Sequence, residues 1–364
     1  MASVLTTASR NAPRARQLDR SEGGGQHLRL RPAATEPARS LGSETCTHTR
    51  GYRRLLEFAR QYVPGRRCWA LEGTGSYGAG LAAFLEDAGE RVVEVCRPKR
   101  PPVRGGRKTD MLDAIRAARE ALATEHVIQP RSRGEREAMR VLLATRQGSV
   151  HASTAAINQL KALIVSAPDD LRAELRHLSR PQQVTRCAGL RDRTALSAEH
   201  RMTLRALRST AQRIRHLQAE ARELENELLQ LVRQQAPELL DLLGVGSITA
   251  AQILVSWSHP GRFRSEAAFA SFAGVAPIPA SSGLTSKHRL NRGGDRQLNR
   301  AMHTISLIRM RLDPATKTYV ARRVSEGKSP RDAQRCLKRN ICRHIFKILE
   351  RRNQPGVEEL PQAA

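Results

Sequence analysis

Apolar and polar positions change their period several times along this chain, and each change marks an element. From Gly51, "GYRRLLEFARQYV" places Leu55, Phe58, Ala59 and Tyr62 at helical spacing until Pro64 and Gly65 stop the run. The apolar run "RCWALEG" (67–73) then predicts a short buried strand, "SYGAGLAAFLEDAG" (76–89) a helix closed by Gly89, and "RVVEVC" (91–96) a second strand. Strand, helix and strand within about 30 residues make a βαβ unit, which requires parallel strands.

A basic loop at 98–108 leads into a helix over 109–123, with Met111, Ile115, Ala118 and Leu122 as its stripe, and "HVIQP" can add an edge strand. Two long helices are expected at 134–165 and 195–234. The second carries Leu204, Leu207, Ile214, Leu217, Leu224, Leu228 and Leu231 among alternating charges, the pattern of a coiled-coil spacer or dimer seam. The polar stretch from Pro168 to Arg193 between them predicts no element. Beyond Pro237 the pattern is helical to about 352, broken by one long basic loop. Residues 1–49, rich in Arg, Ser, Pro, Gly and Thr, read as coil. The expected division is 1–49 disordered or frame-altered, 50–130 α/β, 131–236 helical spacer, 237–352 a mainly α C-terminal domain, and 353–364 a tail.

Charge narrows the partner. The 364 residues hold 62 Lys+Arg against 35 Asp+Glu, a net charge of +27, and such a chain repels itself unless it works beside a polyanion. Nucleic acid is the leading partner. Aromatic residues are only 3% of the chain, which argues for contacts to the phosphate backbone over stacking on single-stranded bases. No apolar run approaches the ~18 residues of a spanning helix, and residues 1–20 lack a signal-peptide core, so no membrane is expected and the cytoplasm is the expected compartment. The six cysteines, Cys46, Cys68, Cys96, Cys187, Cys336 and Cys342, lack zinc-site spacing and read as reduced thiols.

Four places carry candidate chemistry. In "GGRKTDMLDA", Asp110 and Asp113 stand three apart, about 60° around a helix, so both carboxylates project from one edge. They can be a helix cap and a dipole partner, or a pair of hard oxygen ligands for magnesium. Glu72, at the end of the first βαβ strand, is placed to supply a further carboxylate. The glycines that follow, Gly73, Gly75 and Gly78, also match a dinucleotide fingerprint with Glu94 as ribose partner. That reading is weakened by Glu72 beside the pyrophosphate position and by the single βαβ unit. "ELLDLLGVGSITAAQILVSW" reads as helix, turn and helix, either a packed hairpin or a helix-hairpin-helix whose amides after Gly244 and Gly246 approach a DNA phosphate. In 273–303, a turn with Ser281 and Ser282 precedes Lys287, His288, Arg289, Arg292, Arg296 and Arg300. The serines are turn residues beside a phosphate-binding loop, or one is a nucleophile toward a phosphodiester that the arginines neutralise.

Taken together, "ALEGTGSYGAGL", "RKTDMLDA", "LLGVGSITAA", "FASFAGVAPIPASSG" and "HRLNRGGDRQLNRAMH" resemble, in order, the blocks of the DEDD transposases of the insertion-sequence one-hundred-ten family, relatives of the pilin-gene inverting recombinase. The resemblance spans roughly residues 51–350. It implies a truncated RNase H/RuvC-like N-terminal α/β domain, a coiled-coil spacer and a C-terminal domain with a catalytic serine. By resemblance Glu72, Asp110 and Asp113 match the second, third and fourth acidic positions, and Ser282 the nucleophile with Ser281 as the alternative. It further implies magnesium, a covalent phosphoserine to DNA, a structured guide RNA and a homo-oligomer, dimer or tetramer. The family's first acidic residue sits on an N-terminal strand that is missing from this reading, since Asp19 lies in arginine-rich coil. A frameshift or wrong start over the first 45 or so residues would account for it and would leave an inactive copy. The competing expectation is a non-catalytic DNA- or RNA-binding remnant.

Overall fold

The structure, a computed structural model, describes residues 4–8, 48–62, 64–65, 67–95, 117–121, 123, 128–191, 197–280, 288–289, 291 and 293–351. It divides into two compact units, Met1–Arg131 and Ser132–Ala364.

The first unit holds β1 (Val4–Ala8), α1 (Thr49–Tyr62), β2 (Arg67–Glu72), α2 (Ala79–Asp87) and β3 (Arg91–Val95). Strands β2 and β3 run parallel, from Cys68 opposite Arg91 to Glu72 opposite Val95, with α2 as the crossover that the apolar pattern predicts. Strand β1 pairs antiparallel on the far side of β2, Val4 opposite Leu71 and Ala8 opposite Arg67. These five residues differ from the coil expected over 1–49: the stretch "VLTTA", rich in β-branched residues, finds an open sheet edge to pair with.

Both faces of β2 and β3 are covered, which explains their near-continuous apolar runs. Trp69, Leu71 and Val92 pack with Leu56, Ala59, Leu81 and Leu85 of α1 and α2. On the other face Ala70, Val93 and Val95 pack with Ala117, in the helical residues 117–121. The edge pairing expected at "HVIQP" is present as one antiparallel bridge, in which Glu94 N donates to Ile128 O at 2.7 Å. Below the sheet, Glu90 accepts from Trp69 Nε1 (2.9 Å) and Arg67 Nη2 (2.5 Å). The bonds from Arg67, more than any other contact, hold its carboxyl below the usual carboxylate range.

Among the described residues, the regular elements of the second unit are helices and one two-residue ladder. It comprises α3 (Glu135–Val165), α4 (Asp169–Leu175), α5 (Arg180–Ala188), α6 (Ala198–Gln235), a 3-10 turn Pro237–Leu239, α7 (Ser247–Trp257), α8 (Glu266–Phe272), β4 (Ile278–Pro279), β5 (His288–Arg289), α9 (Arg296–Leu312), α10 (Pro314–Ser325) and α11 (Pro330–Arg351). The long helices α3 and α6 lie antiparallel, because Arg146 meets Glu225, Ser149 meets Glu220 and Gln159 meets Arg213.

That pair has an apolar layer at each end and a polar one between. At one end Ala156, Leu160 and Ile164 pack with Leu204, Leu207 and Ile214. At the other, Met139, Leu228 and Val232 join the core of α7, α8, α9 and α11. In the middle Arg146 Nη2 donates to Glu225 Oε2 and Ser149 Oγ to Glu220 Oε2, both at 2.8 Å.

One expectation changes here, at 168–193, and two further features concern the α6 seam and the chain around Pro237. The leucine seam of α6 is used within the chain, with Leu204, Leu207, Ile214 and Leu228 buried and Leu217, Leu224 and Leu231 half-buried. The stretch 168–193 contains two short helices, because Leu171, Leu175, Val184 and Cys187 close the far end of that seam and a Ser179–Gln182 capping box starts α5. Val232 and Leu239, on either side of Pro237, belong to one apolar cluster. No helix among the described residues is long and apolar enough to cross a membrane.

Candidate functional site

In the first unit the site candidate begins at Glu72, the half-buried last residue of β2. Strand alternation places it on the Ala70 face, the one against which Ala117 packs. The chain then turns at Gly73 (φ 71), whose carbonyl accepts from Ser76 N (2.9 Å) and Gly78 N (3.1 Å). A Cβ on Gly78 would lie 3.0 Å from the Glu72 carbonyl oxygen, so the start of α2 can close directly over the strand end only as glycine. Arg131 Nη1 would lie 3.1 Å from a Cβ on Gly75, which sets a guanidinium against the glycine loop. Thr74 Oγ1 and Arg131 Nε are buried without a hydrogen-bond partner among the described residues.

Asp110 and Asp113 lie outside the described residues, so Glu72 is the one placed member of the acidic set. Among the described residues no three His, Cys, Asp or Glu side chains come together as a metal cluster. Strand β1, the N-terminal strand of this sheet, carries only "VLTTA" and brings no carboxylate. The dinucleotide reading needs two βαβ halves, and the described residues show one, flanked by the antiparallel β1.

In the second unit Ser281, Ser282, Lys287 and Arg292 lie outside the described residues, while the base of their hairpin is described in detail. The base is a short antiparallel ladder, Ile278 opposite Arg289 and Pro279 opposite His288. Below it the two legs pass backbone to backbone. Asp295 N donates to Phe272 O at 2.7 Å, and a Cβ on Gly294 (φ 86) would lie 2.2 Å from that same oxygen. Gly274 (φ 66) is equally confined, with Gly293 O 2.9 Å from a Cβ there. These two glycines are required by contact and by left-handed backbone at once.

Side chains brace the crossing. Asn299 Nδ2 donates to Ala273 O (2.8 Å) and Gly274 O (3.2 Å), while its Oδ1 accepts from Lys338 Nζ (3.1 Å). Asn291 Nδ2 donates to Ser271 O at 3.2 Å. Asp295 caps α9, its Oδ1 accepting from Gln297 N and Leu298 N at 2.9 Å, and its Oδ2 takes the Ser256 hydroxyl from α7 at 3.1 Å. Burial, and then the charge of Arg335, holds the Lys338 ammonium below its usual pKa; burial, then Lys338, does the same to His303, one turn beyond Asn299.

Arg289 is exposed at the ladder, and Arg296 and Arg300 are exposed one turn apart at the start of α9. They form a cationic rim beside the hairpin. The glycines of "LLGVGS" stand directly before α7, Gly246 at its N-cap. Residues 238–243 form a 3-10 turn and irregular chain where the pattern predicts a helix, because Pro237 starts a single tight turn. Gly244 (φ 86) is packed inward, with Ile305 O 3.2 Å from a Cβ there, and the Val245 amide is taken by Leu242 O at 2.9 Å. The Gly246 amide donates to Thr249 Oγ1 at 2.9 Å.

Sequence reading misses Asn299, Lys338 and Asp295. Asp295 carries a signal, since an Asp directly before a periodic apolar run is a helix-cap pattern. Asn299 and Lys338 carry none, being 39 residues apart and joined only by tertiary packing.

The hairpin base and the Glu72 edge fall within segments that match transposase families. Residues 236–321 match the Transposase IS116/IS110/IS902 family, and residues 33–168 match the DEDD transposase family of the IS110 type. The chain belongs to the IS110-family DEDD transposases. Over 151 residues it is 38% identical to the insertion element IS110 uncharacterized 43.6 kDa protein of Streptomyces coelicolor, covering 39% of this chain and 37% of that one. Over 335 residues it is 27% identical to the insertion element IS900 uncharacterized 42 kDa protein of Mycobacterium paratuberculosis, covering 78% and 83%. The first alignment thus spans little more than a third of its relative, the second most of it.

Proposed function

We propose that this protein is the DNA transposase of an insertion sequence, cutting and rejoining strands through a serine on the 280–287 hairpin. Family membership supports the reaction class. The braced hairpin base is the observation that carries the assignment to this loop: four helices and two obligatory glycines converge to hold the legs of the hairpin on which the serines lie in sequence.

The Ser282 hydroxyl attacks a backbone phosphorus. A serine–phosphorus bond forms, one strand P–O bond breaks, and the serine proton goes to the released oxygen, leaving a strand hydroxyl. The reverse step, with a different strand hydroxyl as nucleophile, rejoins DNA and restores the serine. Arg289, Arg296 and Arg300, with Lys287 and Arg292, offset the charge that gathers on the phosphorane. Glu72, Asp110 and Asp113 would hold a divalent cation, magnesium by the hardness of carboxylate oxygens, which when bound supplies Lewis-acid polarisation of the phosphodiester. The fit rests on Glu72, which shares a sheet face with the helix of Ala117. On this reading the α/β unit is a truncated RNase H/RuvC-like domain and the α3–α6 pair a coiled-coil spacer. A structured RNA from the same element guides the reaction, the working form is a dimer or tetramer, and it acts in the cytoplasm.

The test is capture of a covalent protein–DNA adduct on element-end duplex with magnesium. Ser282→Ala abolishes the adduct, Ser281→Ala keeps it, and Glu72→Gln lowers it at every magnesium concentration. An undiminished adduct in the Ser281, Ser282 double alanine variant overturns the assignment. A second reading is favoured by the absence of a carboxylate on β1: a remnant that binds nucleic acid without cutting it. Salt-sensitive binding with no adduct from the unaltered protein selects that reading.

A further inference from the structure

Helix α11 lies beyond both segments matched by the family models, and apart from Lys338, which braces the hairpin base, its residues carry no role so far. Its sequence contains two interleaved ladders of period four. Ala333, Leu337, Ile341, Ile345 and Leu349 are all buried in the second unit. Arg331, Arg335, Arg339, Arg343, Lys347 and Arg351 stand midway between them. A two-residue offset is about 200° on an α-helix, so each cation lies opposite the neighbouring core residue. Both ladders drift around the helix at the same rate, which keeps the basic one opposite the apolar one; Arg331, Arg335, Arg343, Lys347 and Arg351 are exposed, while Arg339 is half-buried against Glu266 of α8.

We propose that this outer face of α11 is a nucleic-acid backbone surface, a ridge that takes successive phosphates without reading sequence. The cations repeat about every 6 Å along the axis, a spacing suited to a regularly charged polymer more than to a single anion. Two carboxylates face the ladder. Asp332 holds Arg335 at 2.7 Å, and Glu266 of α8 holds Arg339 and, at 3.6 Å, Arg343. The third acid near the ladder, Glu350, is turned inward to Trp257 Nε1 at 2.8 Å and the Gly261 amide. Six cations against two carboxylates leave a surplus of four, and Arg331, Lys347 and Arg351 are exposed at the two ends. The apolar residues of α11 are spent on the core, so no wedge is left for a lipid surface. The ridge is distinct from the rim of Arg289, Arg296 and Arg300 and rests on the transposase reading only for its choice of polymer.

The experiment uses the full chain and the triple variant Arg331→Gln, Lys347→Gln, Arg351→Gln, with affinity measured across a salt series for a mixed-sequence DNA duplex and for a structured RNA. Neutralising three phosphate-binding cations should lower the slope of log affinity against log salt by about 2.7 on duplex, or about 2 where the cations meet single-stranded nucleic acid. The charge-preserving triple Arg331→Lys, Lys347→Arg, Arg351→Lys should keep the slope, and both variants should melt with the unaltered protein. A fall confined to duplex assigns the ridge to DNA, and one confined to RNA assigns it to RNA. Unchanged slopes on both overturn the ridge while leaving the transposase reading intact. Failure of the unaltered protein to bind either polymer overturns that reading and the ridge together.

Discussion

Lys338 Nζ lies 3.1 Å from Asn299 Oδ1, and the amide nitrogen of the same asparagine donates to the carbonyls of Ala273 and Gly274. The lysine thereby sets which end of the asparagine faces the hairpin leg: with Oδ1 occupied by a cation, only Nδ2 can turn toward the two carbonyls. Asn299→Asp keeps the acceptor for Lys338, loses both donors and puts a carboxylate against two carbonyl oxygens. Covalent adduct formation should fall by about a hundredfold, the scale of a 1 Å misplacement of reacting groups. Lys338→Met, which only unlocks the amide, should cost about tenfold. Adduct rates on element-end DNA, with duplex affinity measured alongside, check both.

Gly294→Ala drives a Cβ to 2.2 Å from the Phe272 carbonyl at a φ of 86. Strain and overpacking together should cost about 2–5 kcal/mol. Gly246→Ala, extended at φ −106 with nothing within 4 Å, should cost no more than about 1 kcal/mol as a poorer helix cap. Denaturant unfolding of both variants makes the comparison.

The carboxyl of Glu90 titrates lower in the fold than in the unfolded chain. Between those two values the unfolded chain binds the extra proton, so stability rises with pH across the window. The contribution is complete above the unfolded value and is lost as pH falls through the folded one. Glu90→Gln should therefore flatten the acid side of the stability profile relative to the unaltered protein and leave its shape above about pH 6 unchanged. Melting followed by tryptophan fluorescence suits the test, because Trp69 is a partner of Glu90.

Leu207 is fully buried where α6 meets α3, α4 and α5. Leu207→Ala should cost about 2–5 kcal/mol without depending on protein concentration, as expected of a seam satisfied within one chain. Leu217→Ala, at a half-buried position, should cost less. Unfolding at two protein concentrations reads both points.

Elements with strong periodicity are legible in the sequence alone. The parallel β2–β3 pair, the helices bounded by Thr49–Tyr62, Glu135–Val165 and Ala198–Gln235, and the position of Glu72 at a strand end all follow from spacing and turn residues. What stays hidden depends on partners far along the chain. The five residues of β1 become a strand only beside β2. The helices at 169–175 and 180–188 owe their existence to a seam that needs a lid, and their own polar composition conceals it. Gly244 and Gly246 look alike as a turn, but one is filled by Ile305 and Ile308 of α9 and the other faces open space. The serine loop is visible as a motif, while the asparagine and lysine that hold its legs come from two helices with no shared pattern.

The polar layer in the middle of α3 and α6 bears on how the second unit moves. Sliding one helix along the other by a turn would strip Arg146 from Glu225 and Ser149 from Glu220, leaving a half-buried charge unmatched. Translation is therefore blocked, although leucine packing alone would tolerate several registers. With α3 about 46 Å long, the pair sets a fixed distance between the Leu160 end and the Met139 end, where the hairpin-bearing core begins.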